Sequence, residues 1–203
     1  AAVIIAILVG IPAGIIAAKR QNSAFDNVSM VGSLVASASP EFWLGLVLIY
    51  IFSYQLGLTP TAGYGRPDHM ILPALTLGLV LAGTLARFTR SSMLEVVRQD
   101  FIRAVRAKGV SERVVTFKHA LKNALIPMIT VLGIQLGSVL AGSFFIEVIF
   151  AWPGIGRLAI TAIQQRDLPV VQGAVLVTSI TFVLINLVID LIYAYVDPRV
   201  RFE

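Results

Sequence analysis

The order of apolar and polar positions divides the chain into five long apolar runs and the polar stretches between them. Residues 1–18 carry no charged side chain and stop at Lys19-Arg20. Phe42 to Leu58, Met70 to Ala86, Ala124 to Ile146 and Leu168 to Ile189 follow. Each lies near the roughly 20 residues that an α-helix needs to cross about 30 Å of hydrocarbon. Lipid offers the backbone no hydrogen-bond partners, so such runs fold as helices. The expected fold class is all-α, a polytopic transmembrane protein with five spans. Pro12 and Gly14 are tolerable in the first span where neighbouring helices re-satisfy the backbone. Gly133, Gly137 and Gly142 allow close helix approach in the fourth, the first two as a GxxxG pair. Residues 27–40 are small and mildly apolar and predict a short helix broken before Pro40-Glu41. The chain starts inside apolar sequence without Met, which predicts a sixth span upstream.

The polar stretch from Arg87 to Lys122 organises the rest. It holds nine of the sixteen basic residues against three acids, so it alone exceeds the net charge of +5 of the whole chain. Positive excess beside apolar spans marks the cytoplasmic side. That bias places Lys19, Arg98 to Lys122 and Arg199 inside, with Gly63 to Asp68 and Trp152 to Asp167 outside. At 100° per residue, Val97, Phe101, Ala104 and Val105 share one helical side, with Arg98, Arg103 and Arg106 around the other. Lys108 falls in the last turn, where a cation meets the negative helix end. Gly109 suits the left-handed position that closes a helix. Ser111 can then N-cap a second helix with Glu112 in its first turn. This second helix would carry Val114, Phe117 and Leu121 on one face and Lys118, His119 and Lys122 on the other. The prediction is a helix–turn–helix on the membrane surface, stiffened on both sides of Gly109.

Composition narrows the function classes. With 57% hydrophobic and 13% charged residues and a mean hydropathy of +0.87, the 203-residue chain lacks the polar surface of a soluble domain. The basic balance belongs to one loop, so it reports orientation rather than nucleic-acid binding. No cysteine is present, which removes disulfide and thiol chemistry. No GxxxxGK[ST] loop occurs, so any nucleotide must be handled by another chain. His69 and His119 fall in loops on opposite membrane faces and cannot share a metal. Within the spans, Asn186 and Asp190 lie four residues apart on one helical face. They read either as a helix-packing hydrogen bond or as a polar wall of a substrate path. Glu41 and Glu147 fall nearer the membrane boundaries.

Several motifs resemble a known family. FIRAVRAKGVSERVVTFKHALKNALIP is similar to the cytoplasmic EAA loop of ABC-importer permeases of the dipeptide, oligopeptide and nickel type. Arg103-Ala104-Val105 stands where that superfamily has Glu-Ala-Ala, Gly109 keeps its place, and Ile126-Pro127 echoes the closing element about five residues late. The longer form and the RAKG core belong to the peptide subclass. The Trp152-Pro153-Gly154-Ile155-Gly156-Arg157 turn resembles the external segment of such permeases, and Asp197-Pro198-Arg199 their tail. The resemblance implies one permease domain over 1–203. It further implies that 87–122 is a coupling loop and 147–168 an external loop. Arg103, Ala104, Arg106, Ala107, Lys108, Gly109, Val110, Ser111, Glu112 and Arg113 would dock onto an ATPase. A second permease subunit, two ATPase subunits carrying ATP and magnesium, and an extracytoplasmic substrate-binding protein are implied as partners, in a bacterial inner membrane. No cofactor is expected on this chain. Two other readings of the residues remain: a proton-coupled transporter with Asp190 or Glu41 titrating, and a structural membrane scaffold.

Overall fold

Helix α4, Ile71–Val97, is the element against which the helices before it and the Leu121–Leu140 helix pack. In this computed structural model, residues 1–140 and 144–196 are described, and every element among them is helical. Helix α1 spans Ala2–Lys19, α2 Ala24–Ala38 and α3 Glu41–Leu48, which continues as a π-helical stretch over Ile49–Gln55. A 3₁₀ turn at Pro67–Met70 leads into α4. Short helices α5 (Asp100–Ala107) and α6 (Glu112–Val114) follow, then a π-helical stretch over Val115–Ala120 that runs straight into α7, Leu121–Leu140. Helices α8 (Phe144–Ile149), α9 (Ile155–Gln165) and α10 (Leu168–Val196) complete the order.

Where lipid supplies no hydrophobic drive between helices, close backbone approach has to hold them together. Helices α1 and α4 achieve it through glycine. A Cβ on Gly10 would lie 2.8 Å from the Ala82 carbonyl oxygen, and one on Gly14 2.5 Å from Thr89 Cβ. Gly83 gives the same access to α2, because a Cβ there would sit 2.6 Å from the Ser33 carbonyl oxygen. Gly133 does so between α7 and α10, where an added Cβ would run into Ile189. Gly10 and Gly14 thus form a second, tightly packed GxxxG pair in the first span beside the expected close approach at Gly133; the surroundings of Gly137 lie outside the described residues.

Three of the described helical segments are long and apolar enough to cross a membrane: Ala2–Lys19, Pro67–Val97 and Leu168–Ile189. Helix α2 with Glu41–Gln55, bent by 107°, makes up to a fourth. Five crossings were expected, and the difference has two sources. The Phe42–Leu58 run is helical only over Glu41–Gln55, roughly 22 Å at 1.5 Å per residue, too short to span alone. The Ala124–Ile146 run passes through residues 141–143, outside the described set. The polar stretch is also shorter than it reads, because α4 carries helix through residues 87–97 before the chain breaks at Arg98-Gln99.

Among the described residues, an ion pair ties α2 to α4. Arg90 on α4 donates Nε–H to Asp26 Oδ1 at 2.5 Å and Nη2–H to Oδ2 at 2.7 Å. Asp26 is 1% exposed and closes the first turn of α2. Its Oδ2 also accepts from Asn22 N–H, and its own N–H donates to Oγ of the N-cap Ser23. The sequence reading did not single out either residue.

Candidate functional site

The predicted docking residues form an exposed elbow standing on a buried base. The base is apolar: Ile102 of α5 and Val115 are fully buried in one cluster with Ile15, Leu85, Met93, Val96, Ala120, Ala124 and Met128. Val105 and Val110 pack against it. Above this base, Arg103, Ala104, Arg106, Ala107, Lys108 and Gly109 are exposed, as are Ser111, Glu112 and Arg113. Lys108 ends α5, and Gly109 follows with φ +75°, the left-handed region that favours glycine. Gly109 N–H returns to the Arg106 carbonyl at 2.9 Å. No neighbour stands within 4 Å of a Cβ placed there, so backbone conformation alone selects glycine.

An ion pair crosses the elbow. Arg106 donates Nε–H to Glu112 Oε1 at 2.7 Å and Nη2–H to Oε2 at 3.2 Å, a bidentate clasp between the two arms. The hydrogen bond from Arg106 holds the Glu112 carboxyl below its ordinary range, and the Arg106 and Lys19 charges lower it further. Lys19 ends α1, so the first helix reaches the elbow.

Three details of the predicted helix–turn–helix change. The break at Gln99 restarts the helical phase at Asp100, so Ile102 and not Phe101 enters the core; Phe101 stays exposed. Ser111 occupies the N-cap position with extended backbone, but its side chain makes no capping bond. The second arm is no separate helix. It runs through the π-helical stretch into α7, and this wide turn rotates Val115, Thr116 and Ala120 inward while Phe117 and Val114 face out. Sequence spacing at 100° per residue could not register that shift, since a π turn breaks the period.

At the other end of α4, roughly 40 Å away for 27 residues, the second predicted site is assembled from several elements. Ala151 takes φ +51°, and Trp152 N–H donates to the Glu147 carbonyl at 2.8 Å. Gly154 is the N-cap of α9, and Glu147 Oε2 accepts Arg157 N–H at 2.8 Å in its first turn. Arg157 Nη1 returns to the Ala151 carbonyl at 2.6 Å. Pro153 is exposed and Trp152 half-buried. Gly63 N–H donates to the Phe150 carbonyl at 2.9 Å, so the two loops predicted to be external meet.

Of the third candidate, Asn186 and Asp190, only the Asn186 side chain lies among the described residues. Asn186 Nδ2 donates to the Phe182 carbonyl one turn back on α10 at 3.0 Å. The Asp190 side chain and the Asp197-Pro198-Arg199 tail lie outside the described residues. Among the described residues, no group of three metal-ligating side chains comes together.

Comparison with known proteins places this architecture. The family model of binding-protein-dependent transport system inner membrane components matches residues 10–202. The chain is similar to the dipeptide transport system permease protein DppB of Alkalihalophilus pseudofirmus, 45% identical over 99% of this chain and 69% of the relative. It is also similar to the glutathione transport system permease protein GsiC of Escherichia coli K12, 46% identical over 98% and 65%. The chain thus spans about two thirds of the length of these relatives. A solved structure of inward-facing conformations of the MetNI methionine ABC transporter shares the fold, with a TM-score of 0.74 at 19% identity, covering 97% of this chain and 89% of the other. With a family match over nearly its whole length, the chain belongs to the binding-protein-dependent transport system inner membrane components.

Proposed function

We propose that this chain is one permease subunit of an ATP-driven importer for peptides or related small substrates such as glutathione, in a bacterial cytoplasmic membrane. In this reading it forms half of the pathway with a second permease. Two ATPase subunits, carrying ATP and magnesium, sit below, and an extracytoplasmic binding protein delivers substrate. The observation that supports it best is the elbow at Gly109. Its exposed basic knob is clamped by Arg106 and Glu112 and rooted through Ile102 and Val115 in the cluster that contains α1, α4 and α7. A protruding element transmits motion only if it is stiffer than the contact it makes. When ATP draws the ATPases together, a knob of this kind carries their displacement to the base of α4, and the permeases change the side to which they open. The turn at Trp152 to Arg157, at the far end of α4, would then meet the delivering protein. Asn186 and Asp190 on α10 are assigned to helix packing or the pathway wall. The test is purification of the tagged chain from its native membrane without crosslinking. Stoichiometric ATPase chains and peptide-stimulated ATP hydrolysis after reconstitution are expected; a chain that purifies alone and transports without ATP would contradict the proposal.

A further inference from the structure

Glu147 lies near the membrane boundary at the start of the expected external loop, and the external turn is built around it. Its backbone carbonyl accepts Trp152 N–H and its carboxylate accepts Arg157 N–H, so both ends of the Trp152–Arg157 turn close on one residue. The carboxylate leaves room for glycine alone at 154, and at 156 it shares that restriction with Phe144, the nearer neighbour. A Cβ on Gly154 would run into the Glu147 carboxyl group, and one on Gly156 would lie 2.6 Å from Phe144 Cδ1 and 2.9 Å from Glu147 Oε2. A carboxylate at the first turn of α9 also opposes the positive helix end. Trp152 and Glu147 border one cavity of about 250 Å³, which Met70, Pro73 and Ile146 also line. From this geometry we infer that Glu147 is a positioning residue: it sets the orientation in which Trp152 and Arg157 meet the delivering protein.

The inference rests on the external-contact reading above, and its experiment separates the two. The complex is reconstituted in nanodiscs with Trp43→Phe and with every other tryptophan of the full-length permease and its partner subunits replaced, so that Trp152 alone reports. Iodide quenching then reports the turn. Titration with the binding protein of the same system gives the half-saturating concentration and the maximal ATPase rate. Glu147→Ala is expected to raise quenching and to raise the half-saturating concentration about tenfold, leaving the maximal rate unchanged. Glu147→Gln keeps an acceptor oxygen and restores most of both. Should Glu147→Ala not fold, Arg157→Pro removes the same N–H at a helix position that tolerates proline, against Arg157→Ala, which keeps it. Unchanged quenching in Glu147→Ala and Arg157→Pro would overturn the inference, as would altered quenching with an unchanged half-saturating concentration. If Trp152→Ala raises that concentration and Glu147→Ala does not, this inference alone fails. If neither raises it, the external-contact reading fails with it.

Discussion

Removing the Asp26 carboxylate is expected to loosen the whole bundle at a single point. Asp26 is 1% exposed and accepts three hydrogen bonds, two from Arg90 and one from Asn22 N–H. Asp26→Ala leaves the Arg90 guanidinium half-buried against α2 with no acid to meet it. Breaking one side of a buried pair costs about 3–5 kcal/mol, and Asn22 N–H loses its acceptor as well, while the Ser23 cap on the residue-26 N–H remains. Asp26→Asn keeps an acceptor for Asn22 but turns an amide donor toward the guanidinium, so it should fall between alanine and wild type. The double replacement Asp26→Leu with Arg90→Met removes both charges and should regain most of the loss, because an apolar pair of similar size needs no desolvation. The assay is reversible unfolding in mixed micelles, followed by intrinsic fluorescence, over the full double-mutant cycle. Coupling of at least about 1 kcal/mol is predicted. A loss below about 1 kcal/mol for Asp26→Ala, or single losses that simply add, would refute the reasoning.

Other consequences can be measured separately. Gly14→Val should separate α1 from α4, since even a Cβ would stand 2.5 Å from Thr89 Cβ; a loss of about 1–3 kcal/mol is expected by the same unfolding assay. The Arg106–Glu112 clasp should respond to acid in one direction. The folded pKa of Glu112 lies below its ordinary value of 4.5, so the clasp contributes fully above that value and is lost as pH falls through the lowered one. Hydrogen exchange at Gly109 to Arg113, corrected for intrinsic rates, should therefore be flat at pH values well above 4.5 and rise only as pH falls below it. Arg106→Ala should be mild, because an exposed pair contributes under about 1 kcal/mol. A cysteine at Ser111 should escape impermeant reagents applied outside intact cells, whereas one at Pro153 should react; the reverse pattern would invert the topology.

What the residues disclosed and what they withheld follow from how local the cause is. Gly109, Lys108 and the position of Ser111 could be read because helix closure depends on a few neighbouring residues. Helices α1, α4 and α10 could be read because continuous apolar sequence of that length has few other uses. The inward turn of Ile102 could not, because it depends on a helix restarting at Asp100 after an extended Gln99. Phe117 was misplaced for a related reason: the π-helical stretch 115–120 has no marker in its composition. Asp26 and Arg90 stand 64 residues apart and share no sequence window; Glu147 and Arg157 lie in one loop, but their bond depends on a turn whose path the residue types do not specify. The apolar run at Phe42–Leu58 suggested a full crossing, but only Glu41–Gln55 is helical and it works with α2 around a sharp bend.

The central claim is that the elbow at Gly109 couples ATP hydrolysis to movement of substrate. Gly109→Val tests it most directly, because φ +75° disfavours any side chain there, by roughly 1–2 kcal/mol, while open space around it means that nothing else is disturbed. The measurement is substrate transported per ATP hydrolysed in proteoliposomes, with ATPase retention on purification scored in parallel. The account predicts intact binding of the loaded external protein together with either lost ATPase subunits or hydrolysis without transport, and a smaller defect for Gly109→Ala. Wild-type coupling and wild-type retention in Gly109→Val would contradict it.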